Sequence, residues 1–173
     1  RQARRGREDT YLRSQTNCCV IMTGEYNLPI SVRWADIDAN RHLRPPAYYD
    51  FAAAMRVSVL IDHGLPGAKM EELQIGPILF REEAIFKREV VLEDKLTMDL
   101  QIVKSTHDFS RLSIRHHLVK AEGTLAAIIN VDVAWIDLVK RKLTVPPDFV
   151  RTIFDAMPKH PEFQWVEQPV RKI

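Results

Sequence analysis

The alternation of apolar and polar positions predicts one strand early in the chain and several strands in its second half. Residues 28–34 alternate and include β-branched side chains, and Pro29 fits the beginning or the edge of such a strand. Residues 96–102 alternate with a period of two, as a half-buried strand does. Further strands are predicted from the runs at 78–80, 84–86, 112–119 and 125–136. Short turns separate the later runs, which favours antiparallel hairpins.

One long helix is predicted between the first strand and the others. Pro45 and Pro46 suit the first turn of a helix, where a missing N–H group costs nothing. From position 47 to 63 the apolar residues spread over much of the helix circumference, which is typical of a buried helix. Gly64 is a good residue to end it. A short second helix is predicted over residues 149–157.

The order of a strand, a buried helix and a four-stranded meander predicts an α+β domain in which an antiparallel sheet wraps around one long central helix. The strands at the edge of such a sheet favour pairing with a second subunit. We expect residues 1–26 to be an N-terminal extension, disordered or non-native. Residues 27–150 are predicted to form the domain, and residues 151–173 a C-terminal helix and tail.

Composition narrows the class of protein without identifying it. The chain has 173 residues, 46% of them apolar, so it can bury an ordinary core. Its formal charge of +2 does not indicate a nucleic-acid partner. Arginines crowd the first 13 residues, where they form either a solvated tail or an arm that touches RNA or an anionic membrane.

The cysteines and the apolar runs bear on the compartment. The two cysteines, Cys18 and Cys19, are adjacent, so a disulfide framework is not expected and a reducing compartment is the simpler interpretation. No apolar run approaches the roughly 18 residues that a membrane span needs. We therefore expect a soluble, cytoplasmic protein without a membrane partner.

Five polar residues between the first strand and the middle of the helix have a distinctive spacing. Asp36 and Asp38 are followed by His42, then by Tyr48 six residues later and by Arg56 eight residues after that. This pattern resembles the start of a hotdog-fold thioesterase of the 4-hydroxybenzoyl-CoA thioesterase type. The ends of such proteins often show an apolar strand closing on Asp, then basic residues and Pro, as at 135–146 here. The resemblance covers about residues 27–150.

The resemblance implies hydrolysis of an acyl-CoA, or of an acyl carrier protein thioester, to a carboxylic acid and a free thiol. It implies a homodimer or homotetramer with active sites at subunit interfaces, and neither a metal nor a redox cofactor. Asp38 falls on the catalytic carboxylate, which attacks the thioester or activates a water. His42 and Tyr48 complete the predicted catalytic group. Adjacent His116 and His117 point to opposite faces of a strand, so no metal site is predicted.

Each catalytic candidate also has a structural interpretation. Asp36 and Asp38 precede a helix, where Asp is favoured as a turn or capping residue. His42 either lies in a surface turn or orients Asp38 and bonds the thioester. Tyr48 is more often a core aromatic with a satisfied hydroxyl than a catalytic acid.

The predicted substrate-binding residues are Arg41, Arg44, Arg56 and Glu83. Arg41 and Arg44 place positive charge beside the site, either for CoA phosphates and an acidic acyl group or as a solvated turn. Arg56 either contacts a CoA phosphate or pairs with an acid such as Asp50 or Glu83. Glu83 falls where the family places a polar residue near the pocket, and it also fits a solvent-facing strand position.

Pro45 departs from the family, because a backbone N–H near this position is thought to bind the thioester carbonyl there and proline has none. Loss of one such donor costs roughly 3 kcal/mol of transition-state stabilisation. Either the N–H of Ala47 or the side chain of His42 replaces it, or the enzyme is slow or inactive. The alternative function is therefore a hotdog protein that binds acyl-CoA without hydrolysing it, as a sensor or subunit. A third is hydration or dehydration of an acyl thioester.

Overall fold

The computed structural model describes residues 20–22 and 25–167. In this part of the chain eight strands form one sheet, and three helices accompany it. The strands are β1 (Val20–Met22), β2 (Glu25–Ile30), β3 (Ile75–Phe86), β4 (Leu96–Ser105), β5 (Arg111–Lys120), β6 (Leu125–Asp137), β7 (Lys142–Leu143) and β8 (Lys159–Trp165). The helices are α1 (Pro45–Asp62), α2 (Gly67–Glu72) and α3 (Asp148–Ala156).

The sheet has the order β1-β2-β4-β5-β6-β3, which leaves β3 at one edge. Neighbouring strands in this order are antiparallel. β7 pairs with β6, and β8 runs parallel to β4 beyond the end of β2. Every second residue of β4 from Leu96 to Ile102 is buried, which is the pattern of a strand with one face on a core.

Helix α1 supplies the other side of that core. Its buried side chains lie on the face towards the sheet and include Tyr48, Phe51, Met55 and Val59. The sheet curls around this helix and the two bury one common hydrophobic cluster. The prediction of an α+β hotdog fold, an antiparallel sheet wrapped around a long central helix, is confirmed.

The ends of α1 follow from its sequence. Its first two residues are prolines, whose restricted φ suits a first turn, and Arg44 caps it without a side-chain hydrogen bond. At the other end Gly64 adopts a positive φ of 77°, which only glycine takes without strain. The predicted helices over 47–63 and 149–157 are confirmed to within two residues.

Two local predictions differ from the structure. The first strand ends at Ile30 instead of Trp34, because residues 34–36 form a short 3-10 turn. The runs at 78–80 and 84–86 belong to the single strand β3, since Arg81, Glu82 and Glu83 continue the pairing with β6. Phe80 has no partner residue on β6 and marks a bulge, which is how one strand absorbs an extra residue.

The sheet extends beyond residues 27–150. β1 and the start of β2 form a hairpin within residues 20–26, and β8 adds a strand between 159 and 165 that was not predicted. The rest of the predicted disordered or non-native extension, residues 1–19 and 23–24, lies outside the described residues, as do residues 168–173. None of the helices described here is long and apolar enough to cross a membrane.

Candidate active site

The loop before α1 holds Asp38 in a tight turn. The Asp38 N–H donates to the His42 carbonyl at 2.8 Å, and the Arg41 N–H donates to the Asp38 carbonyl at 3.0 Å. Arg41 adopts a positive φ of 66° to close this turn. One carboxylate oxygen of Asp38 accepts the N–H groups of Asn40 at 2.8 Å and His42 at 3.0 Å. The local backbone therefore orients the carboxylate, and its second oxygen accepts no hydrogen bond from the described residues.

Asp36 has a different environment from Asp38. Its side chain is completely buried and accepts the N–H, Nε and Nη2 groups of Arg33 at 2.8–3.0 Å. The Arg44 N–H donates to the Asp36 carbonyl at 2.9 Å. Hydrogen bonds from Arg33 hold the pKa of Asp36 below its usual range, so this acid stays ionised. We conclude that Asp36 anchors the loop, whereas Asp38 is the acid that the loop presents.

A cleft of about 340 Å³ opens beside the start of α1. The structure brings Asp38, His42 and Tyr48 together at this cleft. The remaining lining residues are Leu43, Pro45, Phe86, Lys87, Arg88 and Glu89. The charged run at 87–89 was missed in the sequence, although its position directly after an apolar strand end is visible there. Two cations and an acid that follow β3 therefore belong to the same cleft.

Tyr48 contributes a neutral hydroxyl to the cleft. Its side chain is 3% exposed, and its ring packs edge-on against Phe86 with centroids 4.9 Å apart. Burial raises the pKa of Tyr48, and the negative charges of Asp38 and Asp94 add to this effect. Among the described residues no side chain or backbone group bonds this hydroxyl. It is therefore a neutral hydrogen-bond donor available to whatever enters the cleft.

His42 is tied to the other rim of the cleft. Its Nε2 lies 3.2 Å from a carboxylate oxygen of Glu89, while its backbone N–H supports Asp38. The imidazole therefore does not bond the Asp38 carboxylate directly. The contact from His42 to Asp38 is made by its backbone N–H group, so the predicted role of the His42 imidazole stays a prediction.

The N-terminus of α1 offers few donors to the cleft. Pro45 and Pro46 have no N–H group, and the Ala47 N–H donates to the Arg44 carbonyl at 3.0 Å. Ala47 was one of the two predicted substitutes for the missing oxyanion donor, and its N–H is already used inside the turn. The Tyr48 hydroxyl, three residues after Pro45, is a neutral donor that makes no hydrogen bond among the described residues.

The arginines beside the loop differ in how free they are. Arg44 donates to the Ala35 carbonyl at 3.0 Å and lies within 3.8 Å of both Asp36 and Asp50. Its guanidinium is thus part of the loop framework. Arg41 is exposed, and no ion pair of its side chain occurs among the described residues.

Arg56 and Glu83 do not join the cleft. Arg56 donates to Glu82 at 3.0 Å, so the acid that pairs with it is neither Asp50 nor Glu83. Successive strand residues point to opposite faces, and Glu82 takes the face towards α1. Glu83 takes the other face, where it accepts from Arg81 at 2.8 Å and from Asn130 at 3.3 Å. Its solvent-facing interpretation fits this position.

A second, apolar cavity of about 200 Å³ lies towards the other end of α1. It is enclosed by α1, the start of β3, the ends of β6 and α3, and the middle of the sheet. Arg56 is the charged residue among the side chains that line it. The structure thus places Arg56 on a different cavity from Asp38.

The comparison with protein families decides the class. A model of the thioesterase-like superfamily matches residues 32–154 of the 173. This chain belongs to the thioesterase-like superfamily. The predicted family and its enzyme class, a thioester hydrolase, are therefore confirmed. The match spans the loop, the cleft, the whole meander and every residue that lines the apolar cavity except Met157. No curated protein sequence matches it.

Solved structures similar to this thioesterase-like chain share its fold. SAV2348 from Staphylococcus aureus, solved in complex with CoA, is 25% identical with a TM-score of 0.71, covering 86% of this chain and 94% of that one. A 1,4-dihydroxy-2-naphthoyl-CoA thioesterase from Synechocystis is 19% identical with a TM-score of 0.69, covering 76% and 96%. The gentisyl-coenzyme A thioesterase BH1999 is 21% identical with a TM-score of 0.64, covering 72% and 98%.

Proposed function

We propose that this chain is an acyl-CoA thioesterase with Asp38 as its catalytic carboxylate. The observation that carries this proposal is the presentation of Asp38 in an open cleft, with one oxygen held by two N–H groups and the other oxygen free of protein donors. A carboxylate in this state can accept a proton from water without first breaking a protein contact. The superfamily match and the solved CoA complex of a similar protein support the substrate class.

In this proposal Asp38 acts as the general base. It removes a proton from a water, whose oxygen adds to the thioester carbonyl and forms a tetrahedral oxyanion. The oxyanion collapses, the C–S bond breaks, and the proton held by Asp38 passes to the departing CoA sulfur. The products are a carboxylic acid and free CoA, and Asp38 is ionised again. Attack by Asp38 itself is the alternative route, through an anhydride that water then opens.

Tyr48 supplies the oxyanion donor in place of the missing backbone N–H. Its hydroxyl remains protonated because its pKa is raised, and it lines the same cleft as Asp38. A neutral donor that is already in position stabilises charge developing on the carbonyl oxygen. His42 keeps Asp38 in place through its backbone N–H and through its contact with Glu89.

The cations at the cleft are proposed to bind the anionic part of the thiol carrier. Arg41 is exposed, and Lys87 and Arg88 line the cleft itself. Phosphate groups favour such cations, and CoA carries several phosphates. Arg44 serves this binding indirectly, because its own partners hold the loop that carries Arg41. Glu83 faces away from α1, and we propose that it pairs with Arg81 and Asn130 on the sheet surface and does not contact the acyl group.

We also propose that two copies pair through β3. This strand lies at the sheet edge, so its outer backbone groups are free to form a ladder with a second β3. Large apolar side chains on β3 and α1 are about half exposed at this edge: Val57, Ile61, Leu79, Phe80 and Phe86.

An Ile85→Lys change adds charge to this edge, and we expect it to shift a dimer towards monomer in sedimentation velocity. A wild-type monomer at micromolar concentration contradicts the pairing. The cytoplasmic location stays a prediction.

The deciding experiment measures free-thiol release from a panel of acyl-CoAs. We expect Asp38→Asn to lower kcat/KM by about a hundredfold or more, because it keeps the shape and removes the base. Asp62→Asn is the matched control, since Asp62 is an exposed acid at the opposite end of α1. Equal activity of wild type and Asp38→Asn contradicts the role of Asp38.

The loss of N–H donors at Pro45 and Pro46 favours a second candidate, an acyl-CoA-binding protein without turnover. The same experiment separates the two functions. A wild-type protein that releases no thiol but melts at a higher temperature with acyl-CoA is a binder. In that case Asp38 is a turn residue.

A further inference from the structure

Trp34 is the most exposed large apolar residue in the described part of the chain. It is 80% exposed, whereas Trp135 is 2% exposed and Trp165 packs against three other rings. Among the described residues no aromatic ring packs on Trp34. An exposed tryptophan offers a large, rigid surface to a partner at a low cost in side-chain entropy. Trp34 therefore presents a free indole face to solvent.

The backbone that carries Trp34 is held in place by side chains. Trp34 begins the 3-10 turn of residues 34–36. Arg33, directly before it, donates three hydrogen bonds of 2.8–3.0 Å to the buried Asp36 carboxylate. Ala35, directly after it, accepts a hydrogen bond of 3.0 Å from Arg44 Nε. A ligand that contacts the indole therefore orders little additional backbone, which favours binding.

Trp34 lies on the same loop as Asp38 but outside the cleft. It precedes Asp38 by four residues, and it is not one of the residues that line the cleft. Its neighbour Ala35 contacts Arg44, which directly precedes the cleft residue Pro45. In an acyl-CoA the thioester and the adenine ring are at opposite ends of the molecule. With the thioester at Asp38, the adenine end must therefore leave the cleft, and Trp34 is an aromatic residue on the loop beside it.

Two arginines of this loop have donors that a ligand can use. The Arg33 side chain is 68% exposed and binds Asp36 through its Nε and Nη2 groups, so its Nη1 makes no hydrogen bond among the described residues. Arg41 is exposed on the same loop. Bases stack on aromatic side chains, and arginine favours phosphate. A flat ring with phosphates close to it, as in the nucleotide part of CoA, matches a tryptophan with arginines beside it.

We propose that Trp34 stacks on the adenine ring of a CoA thioester whose acyl end is bound at Asp38, with Arg33 beside the phosphates. This inference rests on the proposed thioesterase function and names the thiol carrier. It commits the carrier to CoA, because the thioester of an acyl carrier protein has no adenine ring.

The first test compares an acyl-CoA with the pantetheine thioester of the same acyl group, which lacks the nucleotide. We expect Trp34→Ala to lower kcat/KM for the acyl-CoA by about tenfold, the scale of one base stacked on an aromatic side chain. The pantetheine thioester should be hydrolysed as by the wild type. Trp34→Phe keeps an aromatic face and should restore most of the loss. Trp165→Phe is the matched control on β8, and we expect it to behave as the wild type does.

The second test needs no turnover, because it follows tryptophan fluorescence during titration with 3′,5′-ADP, the nucleotide part of CoA. We expect saturable quenching in the wild type and in Trp165→Phe. Trp34→Phe should lose the quenching, since it removes the exposed indole and leaves the buried Trp135 and the packed Trp165. If neither 3′,5′-ADP nor CoA quenches the wild type, or if Trp34→Phe is quenched as strongly, the stacking role is overturned.

Failure of this inference is distinguishable from failure of the proposed function. Clear turnover with equal losses on the two thioesters in Trp34→Ala overturns the role of Trp34 and leaves Asp38 untouched. If no thioester is hydrolysed, the proposed function fails, and the fluorescence titration still decides whether Trp34 binds the nucleotide.

A second copy of the chain is the other possible partner of Trp34, and sedimentation velocity tests it. We expect wild type and Trp34→Ala to have the same oligomeric state. A wild-type dimer that becomes a monomer on Trp34→Ala makes Trp34 a subunit contact and overturns the proposal.

Discussion

The two ends of α1 differ in how their cavities are built. At the N-terminal end the cleft around Asp38 is polar and open, and its geometry comes from hydrogen bonds within a loop of nine residues, Asp36–Arg44. Towards the C-terminal end, the cavity beside Arg56 is apolar and less open, and its walls come from α1, α3 and four strands far apart in the chain. The shape of the cleft therefore depends on local hydrogen bonds, whereas the shape of the cavity depends on packing between distant segments.

The largest expected effect is on the free energy of unfolding and concerns Arg56 at the apolar cavity. Arg56→Met alone leaves Glu82 without its partner, and the Glu82 side chain is only 23% exposed. We expect a loss of about 3 kcal/mol in the free energy of unfolding, at the low end for a broken buried pair because Glu82 keeps some solvent. Urea denaturation measures it. The additional Glu82→Gln change should restore most of the loss, and no restoration means that Arg56 stabilises by packing instead.

At the open cleft we expect an effect on rate without one on stability. Tyr48→Phe removes the hydroxyl and keeps the ring packed on Phe86. If the hydroxyl donates to the oxyanion, kcat falls by about a hundredfold with a small change in KM. The melting temperature should change little, because this hydroxyl has no bond within the described residues. A variant with wild-type kcat shows that another group is the donor.

As the pH falls, protonation of His116 beside Arg56 should lower the free energy of unfolding before protonation of the loop acid Asp36 does. Burial lowers the pKa of His116 to about 4, the nearby positive charge of Arg56 also lowers it, and the bond to the Asp99 carbonyl opposes the shift. Between about pH 6.5 and pH 4, His116 is therefore protonated in the unfolded chain and neutral in the folded chain. The contribution of neutral His116 to the free energy of unfolding is fully present above about pH 6.5 and is lost as the pH falls towards 4. We expect the free energy of unfolding to fall by about 2 kcal/mol between pH 7 and pH 5. His116→Gln should flatten this part of the curve in urea titrations.

The smallest expected effect compares the two acids of the loop. Asp36→Asn weakens the buried hydrogen bonds with Arg33, and we expect a loss of about 1.5 kcal/mol in unfolding free energy. Asp38→Asn should cost less than about 0.5 kcal/mol, because Asp38 is partly exposed and its neighbours are backbone groups. Thermal unfolding of both variants measures this contrast. A larger loss for Asp38→Asn makes Asp38 a structural residue.

The sequence predicted the residues of the cleft better than those of the apolar cavity. The spacing of Asp38, His42 and Tyr48 falls on a loop and the helix after it, so nearness in sequence becomes nearness in space. The pairing of Arg56 was not predictable in the same way. Asp50 and Glu83 were the acids predicted as its partner, and Glu82 is the partner because the register of β3 turns it towards α1. The bulge at Phe80 lies within that strand and is not visible in the alternation.

The sequence by itself determined the order of the main elements from the first strand through α1 to the meander, the ends of α1 and α3 to within two residues, the family and the acids that precede α1. These features depend on local periodicity, prolines and glycines, and short-range spacing. Only the tertiary structure decided that Asp36 is buried and Asp38 is presented, and that Arg56 pairs with Glu82 and lines a cavity away from the cleft. The physical reason is that burial, strand register and hydrogen-bond satisfaction arise from contacts between distant segments, which no short window of sequence contains.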